Sequence, residues 1–254
     1  DAQESRGLGD VYKRQEQDCV ISLSKMKTHA LERITGAVKN SYGFIYGFHK
    51  AKGHTQYPSA DSFARMLIDL NKCVAPKLYV MDGIVAMEGN GPGSGDPVPM
   101  NVLLMSTDPV ALDSVFSRLV YLKPEMVPTN YHGEKMGLGT WKEEEITLLT
   151  PDGEISMAEA VKKYGNPAFN VDRTEVRKNI WTRMAGALNI FQKKPYIEAD
   201  KCVRCGICVQ SCPVPGKAVD FRKGKGKPPV YDYRKCIRCF CCQEMCPKKA
   251  IKVK

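Results

Sequence analysis

Residues 202–213 read Cys-Val-Arg-Cys-Gly-Ile-Cys-Val-Gln-Ser-Cys-Pro, and residues 236–247 read Cys-Ile-Arg-Cys-Phe-Cys-Cys-Gln-Glu-Met-Cys-Pro. Both runs carry the spacing Cys-x-x-Cys-x-x-Cys-x-x-x-Cys-Pro, and each of these cysteines recurs at an offset of 34. The flanks agree as well: Lys201 and Arg204 match Lys235 and Arg238, and Lys217-Ala-Val follows the first run much as Lys249-Ala-Ile follows the second. An internal duplication accounts for all of this.

Three thiolates two residues apart can wrap a loop around one face of an iron-sulfur cube, with the fourth, beside a proline, supplied from farther away. This is the bacterial two-cluster ferredoxin spacing, in which the fourth Cys of each run serves the other cluster. The sequence therefore predicts two 4Fe-4S clusters, one held by Cys202, Cys205, Cys208 and Cys246, the other by Cys236, Cys239, Cys242 and Cys212. Zinc sites use pairs of Cys-x-x-Cys rather than a triple followed by Cys-Pro. Disulfides fit less well still, because no secretory signal is present. Cys241 aligns with Ile207 and reads as a buried small residue. Cys73, on an apolar stripe, and Cys19, ahead of a strand, read as structural or free thiols.

Working outward, the chain has 254 residues, enough for one large or two ordinary domains. Hydrophobic residues make up 43% and charged residues 26%, which excludes collagen, coiled coil and wholesale disorder. No apolar run approaches the ~20 residues of a membrane span, so no membrane insertion is expected. The formal charge is +10, and residues 195–254 hold nearly all of it, with 14 Lys and Arg against 5 Asp and Glu. Nine of the 11 cysteines also lie there, which sets a domain boundary near residue 195. Two four-thiolate clusters of about −2 each would offset part of the basic excess. The remainder suits docking of an acidic redox carrier, a flavodoxin or ferredoxin. The basic run at 222–227 has no recognition helix or aromatic platform beside it, so nucleic acid is not an expected partner.

The N-terminal three quarters alternate between strand and helix patterns. Strands are expected at 20–24, 78–81, 102–105 and 146–149. A helical spacing of Leu31, Ile34 and Val38 follows the first strand. A clear amphipathic helix carries Phe63, Met66, Leu67, Leu70, Cys73 and Val74, capped by Ser59 or Asp61 and ended by Pro76. Another starts at Asp108-Pro109 and buries Leu112, Val115, Phe116 and Leu119. Such alternation predicts an α/β domain with a mostly parallel sheet over 16–175. A connector helix and linker then occupy 176–195, and a small α+β ferredoxin-type domain with an internal pseudo-twofold repeat occupies 196–254. Residues 1–15 show no periodicity and no apolar signal region; they read as a translated non-native end or a disordered tail.

Polar residues gather where the α/β strands are expected to end: Lys25, Lys27 and His29 after the first, Asp82 and Glu88 after the second, Ser106 to Asp108 after the third. Ligands of open α/β sheets bind at the carboxyl ends of strands. Lys25, Lys27, His29, Asp82 and Glu88 are therefore the candidate site, for a small anionic ligand or a metal. His49 and His54 lie among Lys39, Lys50 and Lys52 and add to this set. The segment Glu88-Gly-Asn-Gly-Pro-Gly-Ser-Gly-Asp96 lacks dinucleotide-binding spacing and reads as either a mobile loop or an anion cradle. Asp113 reads as a solvated carboxylate flanking its helix.

Four stretches together, Ile21 to His29, Thr35-Gly-Ala-Val-Lys-Asn40, Met81-Asp-Gly-Ile-Val-Ala-Met-Glu-Gly-Asn-Gly-Pro92 and Asp108-Pro-Val-Ala-Leu-Asp113, resemble the domain of unknown function 362 family. Its members are often fused to ferredoxin domains. The resemblance covers residues 19 to about 150 and implies an iron-sulfur protein with a redox role, without a general assigned reaction. Family members usually carry sequence ahead of these motifs, so the chain reads as N-terminally truncated. The expectation is a cytoplasmic protein whose ferredoxin domain relays single electrons to or from a small-anion site in the α/β domain, as an oxidoreductase. The alternative is a non-catalytic electron-transfer or cofactor-assembly scaffold.

Overall fold

The computed structural model describes residues 17–45, 47–175 and 193–253. The expected tail over 1–15 and the connector helix, residues 176–192, lie outside the described residues. In chain order the first part contains β1 (Ile21–His29), β2 (Arg33–Thr35), α1 (Ala37–Asn40), α2 (Gly47–Gln56), α3 (Ala60–Val74), β3 (Leu78–Glu88) and β4 (Asp96–Ser106). It continues with α4 (Pro109–Leu119), α5 (Pro128–Lys135), the hairpin of β5 (Leu148–Thr150) and β6 (Gly153–Ile155), and α6 (Met157–Tyr164).

The main sheet has the order β2-β1-β3-β4. It is mixed: β1 and β3 are parallel, whereas β2 pairs antiparallel with β1 and β4 pairs antiparallel with β3. The mostly parallel order expected from the sequence is thus reduced to one pair. The reason is connection length, since only the seven residues 89–95 join β3 to β4, and a parallel crossover needs about a dozen or more. The expected strand at 146–149 pairs only with β6, outside this sheet.

β1 runs five residues past the expected end and takes Lys25, Lys27 and His29 into the strand. Its alternating burial persists through Met26, because neighbouring β3 supplies partners from Ile21↔Leu78 to Lys27↔Met87. β3 likewise passes through Asp82-Gly83, with an irregularity between Gly83 and Val85. The helical spacing of Leu31, Ile34 and Val38 is instead split between β2 and α1. Gly36 joins them because a Cβ there would stand 1.9 Å from Asp113 Oδ1.

Two helices match the sequence closely. The Ser59 side chain accepts from Ser62 N at 3.1 Å in a capping box, α3 buries Phe63, Leu67, Ile68 and Val74, and Ala75 ends it with φ 48° before Pro76. Asp108 Oδ1 accepts from Val110 N at 2.7 Å and Ala111 N at 2.9 Å, opening α4 with Pro109 in its first turn. Cys73, on the α3 stripe, is exposed rather than buried. Phe116, Leu112 and Leu119 of α4 pack with Met26, Met81 and Val102 of the sheet in the main core. The opposite sheet face leaves Leu23 71% and Met105 64% exposed, with Ile21, Ile84 and Leu103 beside them.

The C-terminal part is small and strand-rich. β7 (Pro195–Ile197) pairs with β10 (Ile251–Val253), and β8 (Val219–Asp220) pairs with β9 (Val230–Tyr231). Between them lie two short helices, α7 (Ile207–Gln210) and α8 (Cys241–Glu244).

Candidate functional site

The eight repeat cysteines line two separate cavities. Cys202, Cys205, Cys208 and Cys246 line one of about 360 Å³. Cys212, Cys236, Cys239 and Cys242 line another of about 300 Å³. In each, three sulfurs come from one run and the fourth from the other run. Left-handed residues bend both loops at matching places: Arg204 (φ 58°) and Gly206 (φ 79°) in the first, Arg238 (φ 58°) and Phe240 (φ 60°) in the second. Backbone donors aim at the contributed sulfurs, Ala218 N at Cys212 Sγ and Ala250 N at Cys246 Sγ, each at 3.3 Å. Burial, then the neighbouring cysteines, push the Cys208 thiol up to about 11. A cationic iron core would remove that penalty, so the donor set fits a thiolate-ligated cluster.

The polar set of the α/β domain does not converge on one point. Lys25 Nζ pairs with Asp82 Oδ2 at 2.6 Å on the exposed sheet face, and Asp82 Oδ1 accepts from Ile84 N at 2.9 Å. Glu88 Oε2 accepts from Asn170 N at 2.7 Å and so fastens the loop after α6. His29 points elsewhere, toward Glu244 of the second cysteine run, whose charge also acts on the Lys27 amine. The side chains of His49 and Lys52 lie outside the described residues.

His29 is 4% exposed, and its Nδ1 accepts from Leu31 N at 3.2 Å and Glu32 N at 3.0 Å. Its proton therefore sits on Nε2, which donates to Glu244 Oε1 at 3.0 Å. Burial, reinforced by Lys39, lowers the imidazole further and keeps it neutral. Burial opposes ionisation of Glu244, but Lys39 and the His29 hydrogen bond hold its carboxyl down at about 2. Burial and Lys39 together lower the Lys27 amine. His54, stacked on Phe63 at 4.5 Å, is depressed to about 4, chiefly by burial. Glu32 is fully buried and is pushed well up by that burial. Among the described residues, no three or more His, Cys, Asp or Glu form a group that could hold a single metal ion as it stands.

The glycine-rich segment is neither an anion cradle nor a free loop, for its carbonyls bind the C-terminal part. Gln243 Nε2 donates to Asn90 O at 2.8 Å and to Gly91 O at 3.1 Å, and Lys249 Nζ donates to Gly95 O at 2.9 Å. Asn90 Nδ2 donates in return to Ile251 O at 3.0 Å. The segment is tied to β1 by Thr28, whose Oγ1 donates to Gly89 O at 3.0 Å and accepts from Gly91 N at 3.3 Å. A Cβ on Gly91 would lie 2.2 Å from Thr28 O, and one on Gly93 would lie 2.9 Å from Glu244 O. Closeness, not turn geometry, is what those glycines supply. Gln243 and Glu244 escape sequence reading because they look like the solvated end of a short helix. Their one signal is position, directly after the second run's third ligand.

Asp113 is a further correction. It is 1% exposed, and its carboxylate accepts from Ala37 N at 2.5 Å and Val38 N at 3.1 Å, capping α1 from a distance in sequence. The basic run is exposed beside the first cavity, where Arg204 Nη1 donates to Gly226 O at 3.0 Å.

Comparison with known proteins bears out the expected fusion. Residues 11–118 match the family described as a domain of unknown function (DUF362), and residues 194–247 match the 4Fe-4S dicluster domain. A thylakoid-associated protein of Synechocystis sp. is 42% identical over 122 residues, which is 48% of this chain and 38% of that protein. The chain thus spans well under half the length of that relative. No solved structure matches.

Proposed function

We propose that the chain is an iron-sulfur electron-transfer protein with two 4Fe-4S clusters, held by the two four-cysteine sets that line its cavities. The carrying observation is that three sulfurs of one run and one of the other line each cavity, the crossed arrangement that two clusters require. A cluster held by four thiolates supplies a one-electron couple. Everything else is done by side chains and backbone of this chain.

Cys205 is exposed and lies next to the basic loop 222–227, so an acidic flavodoxin or ferredoxin docks at the first set. Gln243 and Glu244, beside Cys242 of the second set, and Lys249, beside Cys246 of the first, tie both sets to the α/β domain. Behind Glu244 stand Lys27, His29 and Lys39, and a small anionic substrate enters at these lysines in the oxidoreductase reading. Lys25, Asp82 and Glu88 then shape the sheet instead of touching the substrate, since each is already partnered within the α/β domain.

One observation favours the scaffold alternative. The sheet face carrying Leu23, Leu103 and Met105 is open, a patch of the kind that engages another protein. In that reading, electrons or an assembled cofactor are handed to a partner. No helix among the described residues is long and apolar enough to cross a membrane. Cell fractionation tests a cytoplasmic location; the relative's name states thylakoid association of that protein.

Iron and acid-labile sulfide analysis of anaerobically isolated protein tests the central claim. About eight of each per chain is the expected result for two four-iron clusters. Two zinc ions and no sulfide would overturn it.

A further inference from the structure

The repeat is asymmetric at two positions near the cysteine runs. Ile197 lines the first cavity, and the residue 34 places on, Tyr231, lines the second. Ile207 begins α7, and the residue 34 places on, Cys241, begins α8. Each isoleucine is replaced in the second run by a side chain with a hydrogen-bond donor.

One of these donors reaches a ligand sulfur of the second set. Tyr231 Oη lies 3.1 Å from Cys242 Sγ. The phenol must donate once that sulfur is a metal-bound thiolate, because such a sulfur has no proton to give. Cys241 is buried but does not line the cavity. The backbone donors do not distinguish the sets, as Ala218 and Ala250 serve one sulfur each at the same distance. Isoleucine side chains at 197 and 207 have nothing to donate.

The geometry points to Tyr231 as the residue that sets the two clusters apart, raising the reduction potential of the second so that an electron entering at the first is passed to it. A donor to a thiolate sulfur favours the reduced, more negative state. Burial acts the other way by disfavouring added charge, and Cys212, Cys239 and Cys242 are buried whereas Cys205 is exposed. Without the Tyr231 donor, the buried second site would therefore be the harder one to reduce. With it, one electron from a reduced acidic carrier would leave that carrier oxidised, pass through the first site and rest on the second. No bond is formed or broken in this transfer.

The inference rests on the two-cluster reading. The experiment is an anaerobic redox titration of the full chain followed by electron paramagnetic resonance, with iron and sulfide counted in every sample. Tyr231→Phe should move one redox feature to lower potential and leave the other in place. The ratio of reduced to oxidised second site at fixed ambient potential should fall roughly threefold to tenfold, part of the strength of a hydrogen bond to a charged group. Ile197→Tyr should move the other feature upward, which tests the idea by adding a donor rather than removing one. Full iron and sulfide content with unmoved features, or with both features moved equally, overturns the inference alone. A wild-type chain lacking the iron and sulfide for two clusters overturns the two-cluster reading instead, before any variant is compared.

Discussion

His29 Nε2 donates to Glu244 Oε1 at 3.0 Å, joining residues 215 apart in sequence. The pair fixes the end of β1 to the helix that carries the second set's third cysteine. Because His29 Nδ1 also accepts two backbone hydrogen bonds, its ring orientation is determined from both sides.

His29→Ala should accordingly destabilise the folded chain by about 1–3 kcal/mol, since buried Leu31 and Glu32 amides lose their acceptor and Glu244 loses a donor. Anaerobic urea unfolding of the cluster-loaded protein measures this. An unchanged midpoint would show the contact to be incidental.

Gly91→Ala puts a methyl group where only 2.2 Å separates it from Thr28 O. Overpacking against backbone should cost on the order of 2 kcal/mol. It should also speed hydrogen exchange at Gly89, Gly91 and Gln243 relative to the α3 interior. Gly43→Ala is the control, because nothing lies within 4 Å of a Cβ there.

Cys246→Ser should damage the site of Cys202, Cys205 and Cys208, and Cys212→Ser the site of Cys236, Cys239 and Cys242, because the cavities are lined that way. Each variant should lose one resonance signal of two. Loss of the signal from the same run would refute the crossed assignment.

Asp113 gives a pH dependence with a definite sign. Burial pushes its carboxyl up to about 7, against the two backbone hydrogen bonds, with Asp108 adding to the rise. An unfolded aspartate ionises near 3.8, so between there and about 7 the folded chain keeps a proton that the unfolded chain has released. Stability should fall as pH rises through that window and level off above it. Asp113→Asn should flatten the slope in unfolding midpoints measured across the window; parallel profiles would assign the slope to other groups.

Several features were legible from residue types because their causes are local. Ser59 and Asp108 cap their helices with side chains two or three residues from the amides they serve. The cysteine runs dictate which sulfurs meet, since ligand spacing is set by chemistry rather than by packing. Strand extent was not legible. Lys25 and Asp82 look like the ends of strands, yet they are cross-strand neighbours whose charges satisfy each other at 2.6 Å, which lets the ladder continue. The junction was least legible of all: Gln243 meets Gly91 across 152 positions, and no periodicity records that. Asp113 was misread because its two amide partners lie 75 and 76 residues away.

The glycine-rich segment carries a thermodynamic consequence. Its outward carbonyls are held by Gln243 and Lys249, which flank the cysteines Cys242 and Cys246. Filling the cavities stiffens the very turns that present those donors, and seating the donors pre-arranges the sulfurs. The two events therefore form a closed cycle in which each must favour the other by the same free energy. Iron content thus reports on whether a sheet some 150 residues earlier in the chain is correctly assembled.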